Sequence, residues 1–292
     1  MSEPSSRRSG IRGSTRVVGV IGWPVEHSVS PPIHNAAFEA LEMDWAYVPL
    51  PVPPGHVAEA VVGLRALGLA GANVTMPHKT ECAALLEDLS DDARRLRAVN
   101  TIVVGSASTF GHNTDAPGFE RFLRQDAGFD PSGREALLFG AGGAARACAL
   151  ALARSGLGSL AVAVRDPSRA DPLLEAIDGL STAVTVVGFE EADRTQAQLI
   201  VNATPLGVHA EALPLPRLGP GVTAVDLLYR PAETPLVRSA KEAGALAFGG
   251  LGLLLHQAAL AFELWTGRPA PLPVMSAAAL AALGDRGPSA EG

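Results

Sequence analysis

Aromatic residues make up only 5% of this 292-residue chain, and charged residues 18%. A core so short of rings must be built from Ala, Val, Leu and Ile, which dominate the 47% hydrophobic share. Sparse charge argues against a disordered chain or one that wraps nucleic acid. The formal net charge of −7 disfavours polyanion binding as a main role. It leaves room for one phosphate-bearing ligand held by a local arginine. Cysteine is scarce: Cys82 and Cys148 lie in alanine-rich helical stretches without metal-ligand spacing, so they read as small buried thiols and no metal is expected. Residues 1–15 are rich in Ser, Arg and Gly and carry no apolar block, so no secretory signal is expected. No uninterrupted apolar run reaches membrane-span length; residues 251–265 come nearest but include His256, Gln257 and Glu263. The expectation is a soluble cytoplasmic protein, monomer or homodimer, that binds a small molecule and neither nucleic acid nor membrane.

What is present is a regular alternation. Residues 17–21 form an apolar run ending in Gly22-Trp23-Pro24, a buried strand entering a loop. Helical spacing at 31–41, an extended stretch at 45–52, helical spacing at 56–67 and a short strand at 72–75 follow, and Pro77 suits the first turn of the next helix. That pitch predicts parallel βαβ units. A second series starts near Asp115: helix to about 125, strand 135–139, helix 143–155, strand 159–164, helix 168–178, strands 183–187, 198–202 and 222–226, and helix 234–243. This is the order of a doubly wound nucleotide domain. The last long helix, 251–265, is expected to return to the first domain. The predicted fold is α/β with two domains: a mixed or parallel βαβ substrate domain (16–113 plus 251–283) and a Rossmann-like dinucleotide domain (114–250). A cleft between them holds the active site, and loose tails cover 1–15 and 284–292.

Gly140-Ala141-Gly142-Gly143-Ala144-Ala145 follows an apolar strand and opens an alanine-rich helix. The first glycine permits a tight turn, the second a close backbone approach to a pyrophosphate, and the small Ala145 close packing of helix on strand. The helix N-terminus offers N–H groups to the phosphates. The next strand ends in Val164-Arg165-Asp166-Pro167-Ser168-Arg169. Arg165 and Arg169 could clamp a 2′-phosphate, which favours NADP. Asp166 points the other way, towards a ribose hydroxyl and NAD, or simply caps the following turn with Ser168.

Reducing a ketone takes a hydride on carbon and a proton on oxygen. An ammonium group beside the carbonyl stabilises the developing alkoxide and donates that proton; a nearby carboxylate keeps it charged. Lys79, in Gly71-Ala-Asn73-Val-Thr75-Met-Pro77-His-Lys79, and Asp115, in Asn113-Thr114-Asp115, are candidates for such a pair. Asn73, Thr75, Asn100 and Gln257 lie in apolar surroundings and need partners; they satisfy one another or line a pocket for a polyhydroxylated ligand. Gln257 is placed on the apolar side of its helix and His256 with Glu263 on another. Ser30 before Pro31 reads as a helix N-cap, yet two hydroxyls, Ser28 and Ser30, at a helix start also suit a carboxylate.

These blocks resemble the shikimate dehydrogenase family over residues 17–269. The resemblance runs through His27-Ser28-x-Ser30-Pro31, the Asn73 to Lys79 block, Ala98-Val-Asn100-Thr101, Asn113-Thr114-Asp115 and the Gly140 to Ala144 loop. It continues in Asn202-Ala-Thr204, Val225-Asp226-x-x-Tyr229, Thr234-Pro-Leu236 and Gly250-Leu-Gly252-x-Leu254-x-x-Gln257. It implies NADPH-dependent reduction of 3-dehydroshikimate to shikimate, a step of aromatic amino acid biosynthesis. It further implies that Ser28, Ser30 and Tyr229 hold the substrate carboxylate, and that Asn73, Thr75, Asn100 and Gln257 hold ring hydroxyls. Lys79 with Asp115 would handle the proton. Thr204 would join the cofactor shell, with Leu227 and Gly250 at its nicotinamide end. The family's Asn-Arg-Thr block is replaced here by Val164-Arg165-Asp166, with Arg169 retained. A quinate/shikimate dehydrogenase using NAD is the nearest alternative, and a catalytically silent shikimate-binding paralogue is one of another class.

Overall fold

The computed structural model describes residues 10–207 and 213–284. Two compact units divide the chain: residues up to Thr114 together with those from Ala258 onward, and Asp115–Gln257.

The first unit opens with β1 (Arg16–Gly22), α1 (Ser30–Ala40), β2 (Trp45–Pro51), α2 (Val57–Ala66) and β3 (Gly71–Val74). Then come α3 (Lys79–Leu85), β4 (Asp88–Leu89), α4 (Asp91–Leu96), β5 (Thr101–Val104) and β6 (Thr109–His112). One six-stranded sheet results, in the order β2-β1-β3-β5-β6-β4. The pairs β1·β2 and β1·β3 are parallel, as βαβ units require. An all-parallel arrangement does not persist: β3·β5 and β5·β6 are antiparallel. The link from β5 to β6 is too short for a crossover, so the two can only form a hairpin. Aliphatic side chains fill the core between sheet and helices, among them Ile21, Val57, Leu64, Val74, Val99 and Ile102. Pro77 does not start α3; it lies in the turn before it, and Lys79 is the first helical residue.

Of the expected N-terminal tail, residues 1–9 lie outside the described residues, as do 285–292 of the C-terminal one. Ser14 and Thr15 are tied down, because their hydroxyls each donate to Asp44 at 2.6 Å.

The second unit runs through α5 (Asp115–Gln125), β7 (Glu135–Phe139), α6 (Gly143–Arg154), β8 (Ser159–Val164), α7 (Asp171–Ile177) and β9 (Ala183–Gly188). It continues with β10 (Leu199–Asn202), β11 (Thr223–Asp226), α8 (Pro235–Glu242), β12 (Leu246–Phe248) and the start of α9 (Leu251–Thr266). Its sheet is parallel throughout, in the order β12-β11-β10-β7-β8-β9. The order reverses between β7 and β10, which is where a doubly wound sheet opens a crevice at its carboxyl ends. The helix expected over 168–178 is split. A 3-10 turn, Pro167–Ala170, precedes α7, because Pro172 fits only the first turn of a new helix.

The C-terminal α10 (Leu272–Gly284) lies against α1 in the first unit. Trp265 near the end of α9 donates its indole N–H to the Ile102 carbonyl at 2.9 Å. Among the described residues, no helix is long and apolar enough to cross a membrane. Both cysteines are buried, and burial pushes the Cys82 thiol up to about 12.

Candidate functional site

In the first unit the polar residues gather where β1 and β3 end and β5 begins. Because β5 runs antiparallel to β3, its start lies beside the end of β3, and Val74 N–H reaches the Asn100 carbonyl at 2.8 Å. Thr75 N–H bonds the Ile21 carbonyl at the end of β1. The Lys79 carbonyl accepts from Val99 N–H at 2.9 Å, which sets the first turn of α3 against the segment entering β5. Asn73 is buried, with both amide hydrogens committed: Tyr47 Oη donates to its Oδ1 at 2.7 Å, and its Nδ2 donates to the Asn100 carbonyl and Thr101 Oγ1, each at 3.1 Å. Asn100 Oδ1 accepts from Thr114 N–H at 2.8 Å, and its Nδ2 donates to Thr114 Oγ1 at 3.0 Å. Asp115 is the next residue in the chain and opens α5. Ser28, Ser30, Thr75 and Lys79 are partly buried, so this polar edge is open on one side. Ser28 Oγ accepts from Ser30 N–H at 3.2 Å, while α1 has no side-chain N-cap bond. The serine expected as the cap, Ser30, is instead the first helical residue, which leaves its hydroxyl available for other partners.

In the second unit each strand ends in a loop on the same edge of the sheet. Gly140 turns the chain at φ +103°, out of reach for a residue with a Cβ, and a Cβ there would lie 3.0 Å from the Thr204 methyl. Gly142 caps α6 with extended backbone, and Gly142, Gly143 and Ala144 are exposed, so the first N–H groups of the helix face outward. That is the geometry an anionic diphosphate group requires. After β8, Arg165 and Arg169 are exposed, and the Arg165 guanidinium lies over the Phe189 ring at 5.9 Å. Asp166 Oδ1 accepts from Ser168 N–H at 3.1 Å and Ser168 Oγ at 2.7 Å, so the carboxylate serves the turn. Those bonds hold its pKa below the ordinary value. After β10, Asn202 Oδ1 accepts from Thr204 N–H and Oγ1. Leu227 and Tyr229 follow β11 and are partly buried. A Cβ at the buried Gly250 would collide with the Leu227 carbonyl, so only glycine fits.

The family model for the shikimate dehydrogenase substrate binding domain matches residues 20–102, and that for the shikimate 5′-dehydrogenase C-terminal domain matches 250–280. A shikimate dehydrogenase (NADP(+)) of Rubrobacter xylanophilus is 49% identical over 88% of this chain and 93% of its own length. One from Geobacter metallireducens is 42% identical over 94% of this chain and 99% of its own. The chain belongs to the shikimate dehydrogenase family. A crystal structure of the Thermus thermophilus shikimate 5-dehydrogenase with NADP(H) and shikimate superposes with a TM-score of 0.81, at 37% identity over 92% of this chain and 100% of that one.

For a shikimate dehydrogenase, the second unit provides a fitting dinucleotide cradle. Exposed amides start α6, Gly250 has no space for a side chain, and two arginines stand at the end of β8. The helical-wheel placement in α9 needs correction. His256 is fully buried, its Nε2 3.1 Å from Asp126 Oδ2, while Gln257 is partly buried and donates to the Leu254 carbonyl at 2.9 Å. This helix is covered on more than one side, so a single apolar face does not sort its residues. Tyr47, Thr101 and Thr114 as partners of the amides were not legible in the sequence, nor was the network of Asn202, Asp226 and Thr234 at the ends of β10 and β11. A tyrosine, one of only two in the chain, within the apolar run Trp45-Ala46-Tyr47-Val48 was the available signal for Tyr47.

Proposed function

We propose that this protein catalyses the NADPH-dependent, reversible reduction of 3-dehydroshikimate to shikimate. Membership in the family is joined by one structural observation: buried amides and hydroxyls of Asn73, Asn100, Thr101 and Thr114 share one hydrogen-bond network at one edge of the first sheet, with the backbone of Lys79 bonded to the segment that enters β5. Such an edge suits a small ring bearing a carboxylate and several hydroxyls. We assign Ser28, Ser30 and Tyr229 to the carboxylate, and Asn73, Thr75, Asn100 and Gln257 to the ring hydroxyls. Lys79 is assigned the proton at the carbonyl oxygen, with Asp115 as the carboxylate that keeps the ammonium charged and oriented.

Bound NADPH supplies the hydride. The amides of Gly142, Gly143 and Ala144 hold its diphosphate, Arg165 and Arg169 its 2′-phosphate, and Thr204, Leu227 and Gly250 the surroundings of its nicotinamide end. Arginine is suited to the 2′-phosphate because its planar fork presents paired donors to the oxygens. Asp166 stays ionised, its carboxylate bonded to Ser168 within its own turn, and the two arginines set two positive charges against its one negative.

Steady-state assays with shikimate and quinate, each with NADP and NAD, test the reading. The expected result is a clear preference, in kcat/KM, for shikimate with NADP. A preference for quinate with NAD, or tight shikimate binding without turnover, would overturn it.

A further inference from the structure

Tyr47 sits in the middle of β2, 2% exposed, in a position set from three directions. Asn35 of α1 clamps its backbone: Asn35 Oδ1 accepts from Tyr47 N–H at 2.8 Å, and Asn35 Nδ2 donates to the Tyr47 carbonyl at 2.9 Å. His34, the neighbour of Asn35, stacks on the phenol ring with centroids 4.4 Å apart and planes 3° from parallel. The hydroxyl donates to Asn73 Oδ1 at 2.7 Å. The hydroxyl therefore touches a residue assigned to a ring hydroxyl of the substrate.

The orientation of the Asn73 amide follows from its partners. The Asn100 carbonyl can only accept, so Nδ2 must face it, and the second Nδ2 hydrogen goes to Thr101 Oγ1. Both hydrogens are committed. One lone pair of Oδ1 is taken by Tyr47, and the other is what Asn73 has left for a ligand. Asn73 can thus serve only as an acceptor, from a hydroxyl that donates.

We infer that Tyr47 is a positioning residue for the substrate: it locks Asn73 as an acceptor for a ring hydroxyl. This rests on the reading of Asn73 as a substrate ligand. The phenol is suited to a fixed donor role, because burial raises its pKa well above the ordinary value and keeps it protonated. His34 adds no charge nearby, since burial lowers its pKa to about 3.

Tyr47→Phe removes the hydroxyl and retains the ring, its stack on His34 and the Asn35 clamp. Kinetics of Tyr47→Phe, Asn73→Ala and the double variant test the inference, with near-ultraviolet circular dichroism to confirm native packing. Tyr47→Phe is expected to raise the shikimate KM about 5- to 10-fold, the loss of one modest hydrogen bond, with the NADP KM unchanged and kcat within about twofold. In the Asn73→Ala background the same change should move the shikimate KM less than about twofold, because the two act as one unit. A second measurement compares shikimate with its mono-deoxy analogues. Wild type should discriminate strongly against one of them, and Tyr47→Phe less so. An unchanged shikimate KM in Tyr47→Phe, or an equal effect in both backgrounds, would overturn the positioning role alone. An Asn73→Ala variant with an unchanged shikimate KM would instead remove Asn73 as a ligand, and the inference with it.

Discussion

The side chain of Asn202 donates to Asp226 at 3.1 Å, joining the ends of β10 and β11 beneath the loops assigned to the cofactor. Asp226 also accepts from Thr234 Oγ1 at 2.7 Å and Leu228 N–H at 3.1 Å, and Thr234 in turn caps α8. The carboxylate thus anchors two loops and a helix start, at the cost of being buried.

That burial gives a pH signature. Desolvation raises the Asp226 pKa above the ordinary carboxylate value, outweighing the hydrogen bonds from Thr234, Leu228 and Asn202 that lower it. The folded state therefore holds the proton more tightly than the unfolded chain. Below the ordinary carboxylate range both states are protonated and no penalty exists; it grows through that range and is complete above the raised folded value. Asp226→Asn cannot titrate. Urea midpoints of wild type relative to Asp226→Asn should therefore fall as pH rises across that window and level off above it. A difference independent of pH, or one rising with pH, would show that the folded state does not favour the protonated acid.

Lys79 carries the second prediction. Its removal takes away a proton donor while the Asn73 and Asn100 network remains bonded to itself. Lys79→Ala should lower kcat about 10²- to 10⁴-fold and change the shikimate KM modestly, as for a group acting mainly in the transition state. A variant that turns over at the wild-type rate would remove Lys79 from the proton step.

The sequence exposed its periodic parts well and its long-range partnerships poorly. β8 and α5 are legible because an apolar run and a repeating apolar stripe are local signals. The three-residue β12 is too short to show a period, and α10 is apolar on all sides and shows no stripe. At the site, the need of Asn73 and Asn100 for partners was legible, since a buried amide must be paired. Their partners were not, because Tyr47 and Thr114 stand 26 and 14 residues away and meet them only through sheet register. Asp166 had two local readings, and the cap bonds its Oδ1 makes to Ser168 become visible only in the geometry of the turn.

Arg165 is the test of cofactor choice. It is exposed at the end of β8, where a guanidinium can meet a 2′-phosphate that NADH lacks. Arg165→Ala should raise the KM for NADPH about tenfold or more, the loss of a charge-assisted contact, and that for NADH much less. Equal changes for both cofactors would assign the 2′-phosphate to other groups.

Two adjacent glycines provide a controlled comparison at the nicotinamide end. A Cβ on Gly250 would run into the Leu227 carbonyl oxygen and carbon, and backbone cannot swing away as a side chain does. A Cβ on Gly249 would meet its nearest atoms, the carbonyl oxygens of Leu228 and Ala232, at 3.6 and 3.7 Å, which is ordinary contact. Gly250→Ala should therefore cost about 1–3 kcal/mol of stability, the range for overpacking a filled site. It should also raise the NADPH KM, because the relief must come from moving Leu227, which is assigned to the cofactor. Gly249→Ala should leave both close to wild type. Thermal denaturation and NADPH kinetics of the two variants separate steric exclusion at one position from a general intolerance of the turn. Similar losses at both glycines would mean that backbone flexibility there, and not the close approach to Leu227, is what the chain requires.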